Sequence, residues 1–278
     1  MINALISLNA DLASSIAFRY SCRLMKFVDM RLQAMHVEEV AKDEFPPGSG
    51  WVRSTWEKGL LQAAQEEIAQ LINAEKPHCA PMDNTIIRIG NREDELLREL
   101  EENRYDLLLE GALNAFDAQH FHKKIHSKLY KYMPCPILLI KNLVDPSQAA
   151  LIVGDIEDVH PLVATFTRLF EKTQIKLDLV FFSDKPAGQA EIRTRLSEAP
   201  HPLQQRAAQV LDAARGALAG HGWTPQDSWV VQNKPQKIGE MLGDYGLVGA
   251  YLPSAASRKH FAMDLLSRIP TATLLCKP

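Results

Sequence analysis

The sequence has few cysteines, no long apolar run and no excess of basic residues. Its 278 residues include four cysteines, and none of these forms a CxxC or CxxxC pair. The cysteines are Cys22, Cys79, Cys135 and Cys276. Their wide spacing argues against a disulfide framework and against a structural zinc ribbon. No stretch approaches the roughly 18 to 20 continuous apolar residues of a membrane-spanning helix, so we expect no membrane partner.

The net charge and the first residues of the chain further limit the class of protein and its expected location. A formal net charge of -3 gives no basis for expecting a nucleic-acid partner, because such binding needs a basic surface. The opening MINALISLNADLASS lacks a basic region, and Asn9 and Asp11 interrupt its apolar run, which is not typical of a signal peptide. We therefore expect a soluble, cytoplasmic protein with a proper core, consistent with its 46% hydrophobic content.

Short apolar runs alternate with helical patterns along the whole chain. ALISLN, TIIRIG, LLLEG and ILLIK occur in the first half, and ALIVGD, KLDLVFF, SWVVQN, LVGAY and ATLLCK occur in the second. Continuous apolar strands separated by helices indicate a parallel sheet that is covered on both faces. The predicted fold class is α/β, with doubly wound, Rossmann-like domains, each containing a five-stranded parallel sheet with helices on both faces.

The second half of the sequence repeats the order of the first. Landmarks recur 136 to 146 residues apart: Asn9 with Asp155, Tyr105 with Tyr245, and Pro134 with Pro270. This period indicates duplication of a whole domain and not a short solenoid repeat. The segment NLVDPSQ is the natural linker, so we predict one domain over 1–143 and a second over 149–278.

The order of elements in each half, with the runs ALISLN, ALIVGD, YDLLLEG and MPCPILLIK, resembles the universal stress protein family in its tandem form. In members that bind ATP, an acid ends the first strand and a Gly-x2-Gly-x9-Gly-Ser/Thr loop follows the fourth. The resemblance implies a two-domain protein whose last strands associate across a two-fold axis. We expect the halves to pack as an internal pseudo-dimer through 136–140 and 272–276, and a homodimer is a further expectation.

The first half departs from this ATP-binding pattern. Asn9 stands in place of the acid, and no glycine follows Gly111 before that half ends. Glycine lets the backbone approach phosphates, whose charge is then bound by the N–H groups of a helix N-terminus. We therefore interpret the loop as a degenerate ATP-binding motif, and we expect no cofactor in this domain.

The second half is the better candidate if either half binds a nucleotide. Asp155 ends ALIVGD, and Ser254, Ser257 and Arg258 lie at the predicted start of a helix. Capping hydroxyls and free N–H groups of a helix start bind phosphate or another small anion. The competing interpretation is an ordinary capped helix with solvated basic residues. ATP in this second domain is the one cofactor that the sequence leaves open.

Three histidines follow the degenerate loop and suggest a metal site. On a helix that buries Phe121, His122 and His126 share one side and His120 points away. His122 and His126 are thus a candidate pair of metal ligands, and a solvated helix face is the alternative interpretation.

The sequence contains no nucleophile elbow, Walker loop or catalytic dyad, so we expect no enzyme. Three functional hypotheses follow. The first is a stress-response or regulatory protein that acts through an unknown protein partner or a small ligand. The second is a nucleotide-binding switch or weak ATPase that uses the second domain. The third is a sensor of metals or anions.

Overall fold

The computed structural model describes residues 1–40, 50–75, 77, 79, 84–113, 118–154, 158–183, 192–252 and 260–277. Strands and helices alternate in the first half in this order: β1 (Ile2–Ser7), α1 (Leu12–Leu24), β2 (Met30–Glu38), α2 (Trp51–Glu75), β3 (Ile86–Ile89), α3 (Arg92–Asn103), β4 (Leu107–Gly111), α4 (Ala118–Ile125), α5 (Lys128–Tyr132) and β5 (Ile137–Ile140).

The second half repeats this alternation. Its elements are β6 (Gln148–Val153), α6 (His160–Leu169), β7 (Lys176–Phe182), β8 (Ile192–Arg195), α7 (His201–Gly220), β9 (Ser228–Gln232), α8 (Pro235–Leu242), β10 (Leu247–Tyr251), α9 (His260–Arg268) and β11 (Ala272–Cys276). Because β5 ends at Ile140 and β6 begins at Gln148, the linker inferred from the sequence joins the two halves. The exact domain bounds remain a prediction.

The strands form one sheet, with eleven strands among the described residues, in the order β3-β2-β1-β4-β5-β11-β10-β6-β7-β9-β8. Five strands of each half are parallel to their neighbours, and each half winds outward in both directions from its first strand. This is the predicted doubly wound α/β fold. The winding reverses between β1 and β4, and again between β6 and β10.

The two halves meet at their closing strands, β5 and β11, which pair antiparallel. Leu138 faces Leu274, while Ile137 faces Leu275 and Leu139 faces Thr273. Since Leu138 and Leu274 are 136 residues apart, the pairing relates each strand to its own repeat. Such a self-complementary contact is that of a two-fold axis. The predicted internal pseudo-dimer is confirmed.

Alternate residues of the closing strands enter opposite layers of the core. Leu138 and Ile140 are fully buried in the layer that contains α1 and α6. Ile137 and Leu139 are fully buried in the layer that contains α4 and α9. Burial of both faces explains why these strands are continuously apolar, since no side faces water.

Two local features differ from the sequence pattern. Phe121, Ile125, Leu129 and Met133 recur every four residues, a spacing that predicts one continuous helix, and all four are buried. The helix nevertheless ends at Ile125, and α5 begins at Lys128. Oε2 of Glu93 accepts the backbone N–H of Lys128 at 2.9 Å, which compensates for the break. In addition, β8 pairs antiparallel with β9 at the sheet edge. This strand has only four residues, and two of them are arginines, so its apolar signal is weak.

The wide spacing of the cysteines argued against a disulfide framework, but the structure contains one disulfide bond among the described residues. Cys22 of α1 and Cys79, which follows α2, form a disulfide bond across 57 residues of sequence. Only the fold brings them together, because α2 packs back against α1. Cys135 and Cys276 are free and buried. Disulfides persist mainly in oxidising compartments, so this bond argues against the expected cytoplasmic location.

Within the described part of the chain, no helix is both long enough and apolar enough to cross a bilayer.

Candidate functional site

A cavity of about 440 Å³ opens at the first point where the winding reverses. Ser7 at the end of β1 and Gly111 at the end of β4 line it, together with His120 and Lys124 of α4. In open parallel sheets, ligands bind beyond the carboxyl ends of strands at such a point. This cavity is therefore the candidate site of the first half.

Glu110 is the centre of a charged cluster in the wall of this cavity. The residue is only 3% exposed. Its Oε1 accepts a hydrogen bond from Nη2 of Arg92 at 2.6 Å and lies 3.0 Å from Nζ of Lys124. Its Oε2 accepts a hydrogen bond from the hydroxyl of Tyr130 at 2.7 Å. One carboxylate thus holds α3, α4 and α5 to the end of β4.

The surroundings of Glu110 keep it ionised. Burial by itself raises the pKa of its carboxyl, but the charges of Lys124 and Arg92 and the hydrogen bond from Tyr130 outweigh this effect and lower the pKa to about 2. Arg92 also donates from Nη2 to Oγ of Ser7 at 2.8 Å, which ties β1 into the cluster. Nε of Arg92 is buried and has no hydrogen-bond partner among the described residues.

The start of α1 forms another wall of the cavity, and its polar groups are already bonded. Oδ1 of Asp11 accepts the backbone N–H of Ser14 at 2.7 Å, which makes Asp11 the N-cap of the helix. Oγ of Ser14 accepts the backbone N–H of Asn9 at 2.8 Å. The cap satisfies one of the N–H groups that would otherwise attract an anion, and its carboxylate places a negative charge beside them.

Gly111, the glycine that suggested a phosphate loop, has a packing role here. A Cβ atom at this position would lie 2.3 Å from the carbonyl oxygen of Ala13, which is far closer than atoms approach. Strand β4 can therefore pass the first turn of α1 only because residue 111 has no side chain.

The second half places a tyrosine at the equivalent position. Tyr251 ends β10 as Gly111 ends β4, 140 residues earlier. Its hydroxyl donates to the carbonyl oxygen of Asp158 at 3.0 Å and accepts the backbone N–H of Leu162 at 2.9 Å. The phenol thus bonds the first turn of α6, where a phosphate would otherwise bind.

The four residues predicted for a nucleotide or anion, Asp155, Ser254, Ser257 and Arg258, lie outside the described residues. Their neighbours are described only as far as Gly154 and Leu252. The prediction of a second-half site therefore stays a prediction.

The candidate metal ligands do lie together. The rings of His122 and His126 stack with their centroids 4.1 Å apart, and Nδ1 of His126 is 3.0 Å from the carbonyl oxygen of His122. Among the described residues, no group of three or more histidines, cysteines or acids is arranged to hold a metal ion. A stacked pair without a third ligand gives the metal hypothesis no support from this part of the chain.

Sequence reasoning did not identify Glu110 and Arg92 as site residues. The available signal was an acid inside an otherwise apolar strand, because LLLEG places Glu110 where a buried side chain is expected. Buried carboxylates are almost always paired, so such an acid implies a cation nearby. Which cation pairs with it depends on the packing of α3 and α4 against β4.

No protein-family model matches the sequence, and no curated protein matches it significantly. Solved structures do resemble it over its full length. A universal stress protein from Archaeoglobus fulgidus DSM 4304 is 12% identical, covers 99% of this chain and 96% of its own, and has a TM-score of 0.62. A protein of unknown function from Pseudomonas aeruginosa PAO1 is 15% identical, with coverages of 100% and 93% and a TM-score of 0.59. A third, from Pseudomonas aeruginosa UCBPP-PA14 and provisionally described as a universal stress protein, is 15% identical, with coverages of 100% and 94% and a TM-score of 0.57. The chain therefore has the universal stress protein fold in its two-domain form.

Proposed function

We propose that this chain is a non-enzymatic regulatory protein of the universal stress type whose first half no longer binds ATP. It acts through contacts with a protein partner or through a small ligand. The observation that carries the proposal is the cluster of Glu110 with Arg92 and Lys124 at the position where such folds bind ligands.

The cluster disfavours a polyphosphate for an electrostatic reason. Arg92 and Lys124 are the cations that line the cavity, and one buried carboxylate already binds both. A triphosphate would have to compete with that carboxylate while bringing several further negative charges close to it. Like charges in a partly buried site repel strongly.

The packing of both halves supports the same conclusion. In the first half, Gly111 accommodates α1 instead of exposing backbone to a ligand, and Asp11 caps the helix start. In the second half, Tyr251 bonds the start of α6. The starts of α1 and α6, which face the two points of winding reversal, thus each have a partner from this chain.

Thermal unfolding with millimolar ATP and Mg²⁺ tests the proposal. A ligand that binds the native state raises the melting temperature by mass action, so we expect no rise. A rise that Lys124→Met removes would place a nucleotide in the first half and overturn the proposal. A rise that survives Lys124→Met would favour the nucleotide switch in the second half, and phosphate release measured on the same samples would reveal a weak ATPase.

A substitution of the central carboxylate makes the test sharper. Glu110→Gln removes the negative charge but keeps the size of the side chain, so inorganic pyrophosphate should bind this variant more tightly than the wild type. Glu101→Gln, at an exposed position on the same helix as Arg92, is the matched control. Equal pyrophosphate affinity in Glu110→Gln and wild type would show that the carboxylate does not exclude anions.

A further inference from the structure

Lys141 and Lys277 are equivalent across the two-fold axis that relates the halves. Each is the first residue after a closing strand, Lys141 after β5 and Lys277 after β11. They are 136 residues apart, which is the separation of Leu138 and Leu274 at the axis. The two lysines therefore occupy the same position in the two repeats.

Each lysine bonds the helix end of the opposite half. Nζ of Lys141 donates to the carbonyl oxygens of Ile269 at 2.7 Å and Leu266 at 3.1 Å, at the end of α9. Nζ of Lys277 donates to the carbonyl oxygens of Met133 at 2.8 Å and Lys131 at 3.0 Å, at the end of α5. Carbonyl groups at a helix C-terminus lack partners within the helix and attract a cation. The halves are thus joined by two reciprocal lysine caps as well as by the paired strands.

The two caps differ in their exposure to water. Lys141 is 2% exposed, and its ammonium lies 5.5 Å from the centroid of the Phe121 ring in α4. Lys277 is exposed. Helix α4 packs against α9 over Lys141, so this lysine is enclosed between a helix of one half and a helix of the other. Among the described residues, no carboxylate forms an ion pair with Lys141.

The charged groups of the helices that cover Lys141 interact elsewhere. Lys124 pairs with Glu110, His122 stacks on His126, and Asp264 of α9 pairs with Arg268 at 3.2 Å. The titratable and charged side chains described on these two helices, and on the residue after α4, are His120, His122, Lys123, Lys124, His126, Asp264 and Arg268. None of them shifts the pKa of Lys141, which burial alone lowers to about 7.

We propose that Lys141 is a pH-sensitive lock on the contact between the two halves. The enclosed amine satisfies two carbonyl groups in its neutral form. Its protonated form places a charge without a carboxylate partner between α4 and α9, where two carbonyl groups and the Phe121 ring replace only part of its hydration. Burying an unpaired charge is costly, so protonation weakens this contact. Lys277 makes equivalent hydrogen bonds from an exposed position. Burial lowers the pKa of its ammonium as well, but water can solvate this charge, so we expect protonation of Lys277 to weaken the contact less.

The direction of the response follows from linkage. The folded-state pKa of Lys141 lies below its ordinary value of 10.5, so between about pH 7 and 10.5 the unfolded chain binds a proton that the folded chain does not. The stability contributed by neutral Lys141 is present at high pH and is lost as pH falls toward 7. Between pH 8 and pH 6, opening of the contact becomes about tenfold more favourable, the change expected for one proton and a pKa near 7.

Urea unfolding and hydrogen exchange of the full chain at pH 6, 7, 8 and 9 test this lock. After correction for intrinsic exchange rates, amides of α4 and α9 in the wild type should open about tenfold more readily at pH 6 than at pH 8. Lys141→Met should lose this tenfold dependence of opening on pH, and Lys277→Met should keep it. The same pH dependence in wild type and Lys141→Met would overturn the proposal.

A direct titration keeps the proposal testable if Lys141→Met does not fold. In wild-type protein labelled with ¹³C-lysine, the side-chain signal of one lysine should titrate near pH 7. Lys141→Arg assigns that signal by its loss. If every lysine signal titrates above pH 9, Lys141 is charged throughout the neutral range and the lock does not exist.

Discussion

Leu138 and Leu274 face each other directly in the antiparallel contact between β5 and β11, and each is the other's repeat. Both side chains are fully buried, in a core layer that runs through both halves. The duplicated domain thus closes its own sheet edge, which in a single domain would be free to pair with another chain. The two closing strands thus pair with each other within one polypeptide.

Leu274→Asp should weaken the contact between the halves. The substitution places a carboxylate opposite Leu138, at a position that is fully buried in an apolar cluster. An unpaired buried charge costs several kcal/mol. We expect a loss of about 3–5 kcal/mol in unfolding free energy, measured by urea denaturation. Leu274→Met, which conserves volume, is the control and should cost less than about 1.5 kcal/mol. Similar losses of unfolding free energy in both variants would show that an apolar side chain at position 274 is not what stabilises the contact between the halves.

The Glu110 carboxylate should give the protein a distinct sensitivity to acid. Its folded-state pKa of about 2 lies below the ordinary value of 4.5, so its contribution is present above pH 4.5 and is lost as pH falls toward 2. A shift of this size corresponds to about 3 kcal/mol. Unfolding free energies measured from pH 6 to pH 2.5 should fall less steeply in Glu110→Gln than in wild type or in Glu101→Gln. If unfolding free energy falls with pH in parallel for all three proteins, the lowered pKa of Glu110 does not account for the sensitivity to acid.

Removal of the whole Glu110 side chain should create a site for small carboxylates. Glu110→Ala leaves Arg92 and Lys124 without their shared partner, and breaking a buried pair costs about 3–5 kcal/mol. Added formate can occupy the vacated volume and pair with both cations. We expect formate to raise the melting temperature of Glu110→Ala and to leave that of Glu101→Gln unchanged. A rise of the same size in both would indicate a general salt effect.

Two glycine substitutions should have opposite effects. Gly111→Ala brings a methyl group against the carbonyl oxygen of Ala13, and we expect a loss of about 1–3 kcal/mol from the forced backbone shift. Gly59 lies inside α2 with no atom near its added Cβ, so Gly59→Ala should gain about 0.5–1 kcal/mol. Thermal unfolding of the two variants provides the comparison. Tolerance of alanine at both positions would show that β4 and α1 can separate freely.

The fold was largely predictable because its signals are local and repeated. Runs such as ALIV and ILLI are apolar at every position, as a strand covered on both faces requires, and the recurrence of the pattern in the second half indicated the duplication. The contact of 136–140 with 272–276 was expected from these runs only together with the resemblance to the universal stress protein family. The strand β8 was not predicted, because four residues at a sheet edge carry too little apolar signal.

The site was less predictable because its chemistry depends on contacts between distant residues. Glu110 and Arg92 are 18 residues apart in sequence and become partners only when α3 packs beside β4. Cys22 and Cys79 likewise appear unrelated until α2 returns along α1.

The sequence by itself determined the α/β class, the duplication and the absence of the glycines that a phosphate loop needs. Hydrophobic periodicity and backbone propensity are properties of neighbouring residues, and they can be read without a partner. Only the tertiary structure decided which groups lie at the two points of winding reversal: a carboxylate at 110 that binds two cations, and a phenol at 251 that bonds a helix start. It also decided that one of two equivalent lysines is enclosed, since the burial of a charge depends on what packs over it.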